Sequence, residues 1–332
     1  MKKIILIVGI VLISMVGGGV FSYFQGWLPF SVSDEDVLSA MIENMSKNKT
    51  WHSETNITID AEAEGEKSSV FLNIEEDTNK TDTENVKSDI KINAELGMEG
   101  MSFSLGVEIK VLGPKDIYLK ITTIPALPFL GMLGINLDEL KDQWIKIDQE
   151  YLGDIAAEDN EEMIKQLTEL LIGKEFLIVE EKFADEGIKD VNCYHYSISL
   201  NKDELVKIMP EMFSIIIQNN SSFEQLSETE KEQALDETVS NFNGFLDKIG
   251  DINFEVWIGK KDKLLYQLSG EKEIDTNELY GGDVYGNIDI GFKINFSKFN
   301  QEININAPEE FKSLDEVFPT EMFPEQILGV GI

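Results

Sequence analysis

The chain has 332 residues, 42% of them hydrophobic, which is enough for a real core in one large or two small domains and argues against disorder throughout. Its formal charge of -34 comes from 62 acidic against 28 basic side chains, and every basic one is Lys. That field repels nucleic-acid phosphates and anionic headgroups, and without Arg the bidentate grip on phosphate is missing, so nucleic acid is excluded as a partner and a nucleotide substrate is disfavoured.

Met1, Lys2 and Lys3 precede an apolar run from Ile4 to about Phe24, an export segment. Its length satisfies the roughly 20 apolar residues of a spanning helix. Gly17 and Gly19 also offer the small residues of a cleavage site, so a signal-anchor over residues 1–28 and a removed signal peptide both stay open. In either case residues 29–332 lie outside the cytoplasm. Lys2 and Lys3 hold the start inside, which places the domain on the cell membrane if anchored and in the medium if cleaved. No cysteine lies near the segment, which excludes a lipoprotein anchor; the single cysteine, Cys193, also rules out an internal disulfide.

Ser33 to Asp36 begins an amphipathic helix whose Val37, Leu38, Met41, Ile42 and Met45 share one face, ending near Asn48. Period-two alternation then predicts strands at Ile57–Ala61, Val70–Ile74, Ile90–Leu96, Phe103–Val111 and Ile117–Ile121. They are too closely spaced for helical crossovers and should pair as an antiparallel meander with one dry and one wet face. Ile124 to Leu137 is apolar without either period, and Pro125 and Pro128 forbid a strand interior, so it reads as a packed loop or short helix.

A strand at Trp144–Asp148 follows, then a helix carrying Met163, Ile164, Leu167, Leu170 and Leu171. Strands near Phe176–Glu180 and Val191–Leu200 lead to a helix from Lys202 to about Gln218, expected to kink or restart at Pro210. Ser227 to Glu230 caps another helix with Leu235, Val239, Phe242 and Leu246 on its stripe. Strands at Ile252–Ile258, Leu264–Gly270, Ile288–Phe296 and Ile303–Ile305 close the chain. About a dozen strands in a single domain predict an α+β fold: a large, curved antiparallel sheet with helices covering its concave face.

Three stretches, Trp144–Asp148, Val256–Tyr266 and Phe296–Pro308, are similar to the Trp-bearing strand, the Trp hairpin and the last strand junction of the LolA/LppX-type envelope carriers of lipids and lipoproteins. The resemblance implies a half-barrel over about Ser33 to Val317 that shelters a lipid or other apolar molecule without a cofactor. The chain departs from the mycobacterial members in lacking their lipidated cysteine, so its membrane contact would run through the N-terminal helix. By this resemblance Phe103, Leu105 and Val107 would line the cavity, if the helices leave one; the apolar loop Ile124 to Leu137 must be buried, cover a ligand or touch membrane, and as a ligand lid its Phe129, Leu130, Met132 and Leu133 would form the gate. The competing expectation is a non-catalytic extracellular module whose concavity is filled by its own helices and whose acidic surface meets a protein partner.

Chemistry-bearing residues are sparse. His52 stands at a strand end and His195 reads as a surface strand residue; neither has zinc-ligand spacing, and no metal site is expected. There is no Gly-x-Ser-x-Gly elbow or phosphate loop, and Cys193, on the strand face opposite Tyr194 and Tyr196, reads as buried or half-buried. Acidic clusters such as Glu75–Asp77 and Asp283–Asp289 read as solvated surface, and no enzyme is expected.

Overall fold

A computed structural model describes residues 36–63, 65–83, 85–98, 100–113, 116–124, 140–147, 166–167, 169–170, 176–219, 226–277 and 286–317. The N-terminal apolar segment, the proposed gate and most of the helix expected around Leu167 lie outside these residues.

Helix α1 (Asp36–Lys47) leads into a meander of β1 (Thr50–Ala63), β2 (Glu66–Asn79), β3 (Lys87–Met98), β4 (Met101–Leu112), β5 (Ile117–Thr123) and β6 (Trp144–Ile147). After it come β7 (Leu177–Lys182), β8 (Glu186–Ile188), β9 (Val191–Leu200), helices α2 (Lys202–Asn219) and α3 (Glu228–Ile249), then β10 (Asn253–Gly259), β11 (Leu265–Asp275) and β12 (Gly286–Ser297). The two-residue β13 (Lys312–Ser313) and the short α4 (Leu314–Val317) end the described chain.

The thirteen described strands form one open sheet in the order β13-β6-β5-β4-β3-β2-β1-β12-β11-β10-β9-β7, with β8 beside β7 on β9. Every pair is antiparallel except β13 with β6. The meander turns are tight enough to need positive φ, supplied by Gly65 at 84° and Gly100 at 80°.

Alternation along each strand separates the sides. On one side Ile57 pairs with Leu72, Leu72 with Ala94 and Ala94 with Leu105, an apolar row across four strands. On the other, Asp60 stands opposite Asp289, and Asp289 opposite Glu273.

The expected strand at Ile303–Ile305 does not form a ladder. The chain after β12 instead runs as a strap past the strand ends. The Thr50 hydroxyl donates to the Gln301 carbonyl at 2.6 Å, Asn79 Nδ2 to that of Ile303 at 2.8 Å, and Lys110 Nζ to that of Asn306 at 3.4 Å. Ile303 and Ile305 are buried, so their alternation records facing and not pairing.

Two further differences concern the helices and His195. Helix α2 runs unbroken through Pro210, an exposed position, so of the expected kink or restart the restart does not occur. His195 is not a free surface residue, as described below.

Candidate functional site

The apolar side of the sheet is covered unevenly. Helix α1 lays Leu38 and Met41 on Tyr196, Ile198, Val256 and Ile258 of β9 and β10, all of them buried. Burial of a side chain such as Leu38 contributes about 1.5–3 kcal/mol. Asn44 Nδ2 donates to the Asp262 carbonyl at 2.8 Å and ties the helix end to the β10–β11 turn. Leu205 and Ile208 of α2 pack on Phe176, and α2 meets α3 edge-on through Phe213 and Phe242, ring centroids 6.2 Å apart.

A second apolar cluster lies at the middle strands, where Ile57, Ile59, Ala61, Val70, Leu72 and Ile288 are buried. Towards β4 that burial is lost. Along the row from Ile57 to Leu105, exposure is 6% at Ile57 and 2% at Leu72, and it reaches 42% at Leu105.

Phe103 and Val107 flank Leu105 on the same side, half-buried, opposite Leu96 and Ile92. The structure therefore brings Phe103, Leu105 and Val107 together on one apolar surface. Phe129, Leu130, Met132 and Leu133 fall outside the described residues. Between Leu105 and Val107, Gly106 forms a β-bulge against β5; a Cβ there would lie 2.4 Å from the Thr122 hydroxyl oxygen. The bulge fixes how the strand presents its apolar neighbours.

The opposite side carries the polar groups. His195 stacks on Trp257, faces Phe183 with ring centroids 4.6 Å apart, and places Nε2 2.9 Å from Glu255 Oε2. Glu186 accepts from Trp257 Nε1 at 2.9 Å and lies 3.6 Å from His195 Nδ1. The imidazole is thus clamped between aromatic rings and carboxylates. Alternation placed it away from Tyr194 and Tyr196, but the three-residue β8 that brings in Glu186 has no sequence period.

Trp144 is held between Lys120 and Lys110, ammonium-to-centroid distances 4.7 and 5.5 Å. These lysines are themselves paired with Glu108 at 2.6 Å and Asp89 at 3.2 Å.

The single cysteine is set against nucleophilic chemistry. Cys193 is fully buried, with Sγ 3.6 Å from the Val191 carbonyl, and burial, then Asp262 and Glu186, push its thiol pKa up. A nucleophilic thiol needs the reverse. Among the described residues no group of three His, Cys, Asp or Glu side chains could hold a metal, and no helix is long and apolar enough to cross a membrane.

No protein-family model and no curated protein matches the chain. Among solved structures the fold is similar to LprF from Mycobacterium bovis, at 11% identity and TM-score 0.34 over 82% of this chain and 95% of that one. It is similar also to the lipoprotein LppX of Mycobacterium tuberculosis, at 14% identity and TM-score 0.34 over 82% of this chain and 100% of the other. A DUF1329 family protein from Desulfovibrio piger matches over 83% of this chain and 96% of its own, at 8% identity and TM-score 0.22.

Proposed function

We propose that this protein is a membrane-tethered, extracytoplasmic binding protein that shelters an acyl chain or other apolar molecule on the apolar side of a half-barrel sheet, without catalysis. The supporting observation is the fall in burial from Leu72 to Leu105 along one apolar row. Leu105, exposed between the half-buried Phe103 and Val107 and continuous with a dry core, has a reason to face outward if an apolar ligand covers it. The N-terminal apolar run would supply the tether, and Phe129, Leu130, Met132 and Leu133 the gate. No cofactor enters this reading, because sheltering needs shape and apolar area and no reactive group.

Native mass spectrometry with solvent extraction of the full chain, purified from a lipid-containing host, tests it. An acyl-bearing mass retained at fixed stoichiometry supports the reading and identifies the ligand class. A bare chain that stays bare after incubation with lipid vesicles would shift the assignment to an interaction module with a filled interior.

A further inference from the structure

On the polar side, at the sheet end where β8 turns into β9, β10 into β11, and β12 into the strap, the three turns enclose a pocket of about 370 Å³. Val191, Leu264 and Phe299 give it apolar walls, and Tyr266 supplies a ring set edge-on to Phe299, centroids 5.3 Å apart. The Tyr266 ring lies over Gly259, where a Cβ would come within 2.7 Å of it, so the glycine makes room for the aromatic wall. Gly259 pairs with Cys193, on the side away from α1, so this pocket is separate from the apolar row at Leu105.

Left-handed backbone concentrates here. Of the five described non-glycine residues with positive φ, Lys189 at 54°, Lys298 at 54° and Asn300 at 52° line the pocket, and Lys263 at 56° sits in the turn between Asp262 and Leu264. Gly or Asn meets that backbone requirement with little strain, yet at three of these four positions the chain carries Lys. Strained residues that persist around a cavity point to function. Unlike glycine, lysine at Lys189 and Lys298 adds a positive charge to the lining.

The two lysines of the lining are lightly engaged. Lys189 has no ion-pair partner among the described residues, and Lys298 reaches only Asp77 at 3.6 Å while staying half exposed. The carboxylate inside the pocket, Asp262, is already engaged: Oδ2 accepts from the Tyr266 hydroxyl at 2.7 Å and Oδ1 from the Leu264 amide at 3.1 Å. Asp190 is exposed beside Lys189. The net charge of -34 opposes anions over the chain as a whole, but Lys189 and Lys298 both line this pocket, and salt screens the distant acids beyond about 8–10 Å.

We infer that the pocket binds a small ligand with an anionic group, phosphate or carboxylate, on an aromatic or aliphatic body, with Lys189 and Lys298 holding the anion and Phe299, Val191 and Tyr266 the body. Calorimetric titration of the full chain with phenyl phosphate and with inorganic phosphate tests this, using wild type and a Lys189→Gly/Lys298→Gly variant that keeps the turns and removes both ammoniums. Saturable binding of phenyl phosphate is expected, weakened about tenfold or more in the variant, whose melting temperature stays equal or rises. Tighter binding of phenyl phosphate than of inorganic phosphate assigns the site to anions carrying an apolar body; equal binding assigns it to free phosphate. No saturable binding of either probe up to millimolar concentration, or binding unchanged in the variant, overturns the inference.

Discussion

His195 and Trp257 face each other across β9 and β10 as a stacked pair, ring centroids 4.2 Å apart and planes inclined by only 17°. Trp257 is anchored from outside by the 2.9 Å bond from its Nε1 to Glu186 on β8. The stack joins β9 to β10, and the bond to Glu186 links both to β8 beyond β9. Trp257→Phe keeps a ring for the stack and loses the charge-assisted bond; because Glu186 is itself half exposed, the expected loss is about 1 kcal/mol by urea denaturation. A double-mutant cycle with Glu186→Ala should return most of that value as coupling. Coupling near zero would mean the bond is not formed in solution.

The two ends of the apolar side should respond differently to truncation. Leu38 is fully buried under α1, so Leu38→Ala should cost about 2–5 kcal/mol. Leu105 is 42% exposed in its row, so Leu105→Ala should cost no more than about 1 kcal/mol. Chemical denaturation of both variants measures the contrast, and equal losses would mean that β4 is as tightly covered as β10.

Helix α3 begins with a complete capping box: the Ser227 hydroxyl accepts from the Glu230 amide at 3.4 Å, and the Ser227 amide donates to the Glu230 carboxylate at 2.8 Å. Ser227→Ala should lower stability by about 1 kcal/mol, read from the denaturation midpoint. Glycine there should cost only a few tenths.

Stability should fall in alkali. Burial, first of all, raises the Cys193 thiol above its ordinary 9.0, and burial followed by the bond to Asp262 raises the Tyr266 phenol above its ordinary 10.0. The native protein then keeps protons that the unfolded chain releases. Their contribution is fully present below pH 9.0 and is lost as pH rises through the folded-state values. Lys80 acts oppositely, since burial lowers its pKa. Comparing wild type with Cys193→Ala/Tyr266→Phe between about pH 8 and pH 10.5 therefore isolates the effect: the variant should show the shallower decline. Identical slopes would refute the assignment.

Much of the architecture was legible because period two is a strong signal when one face is dry. The cores of β1 to β5 and of β9 to β12 follow from alternation, and Ser227 with Glu230 marks α3 directly. The strands nevertheless extend well past the apolar runs, as in β1 from Thr50 to Ala63, because the backbone ladder continues through ends whose side chains carry no clean apolar alternation. Ile303 and Ile305 alternate as clearly as any strand, yet the bonds from the Thr50, Asn79 and Lys110 side chains take up carbonyls along that segment. The Leu105 row was readable as apolar; how far it is exposed depends on what covers the sheet, which no local pattern encodes. The pocket at Tyr266 was not legible, since it arises from three turns distant in sequence.

If an apolar ligand occupies the side of the sheet carrying Leu105, two exposed residues on opposite sides should respond differently to a charge. Leu105 at 42% and Phe71 at 39% are almost equally exposed, but Phe71 pairs with Thr58 and Glu95 on the polar side. The measurement is the amount of extractable lipid retained by Leu105→Asp and by Phe71→Asp in the full chain, each confirmed as folded by circular dichroism. Leu105→Asp should be stripped of lipid while Phe71→Asp retains the wild-type amount. Equal retention by the two folded variants would contradict it.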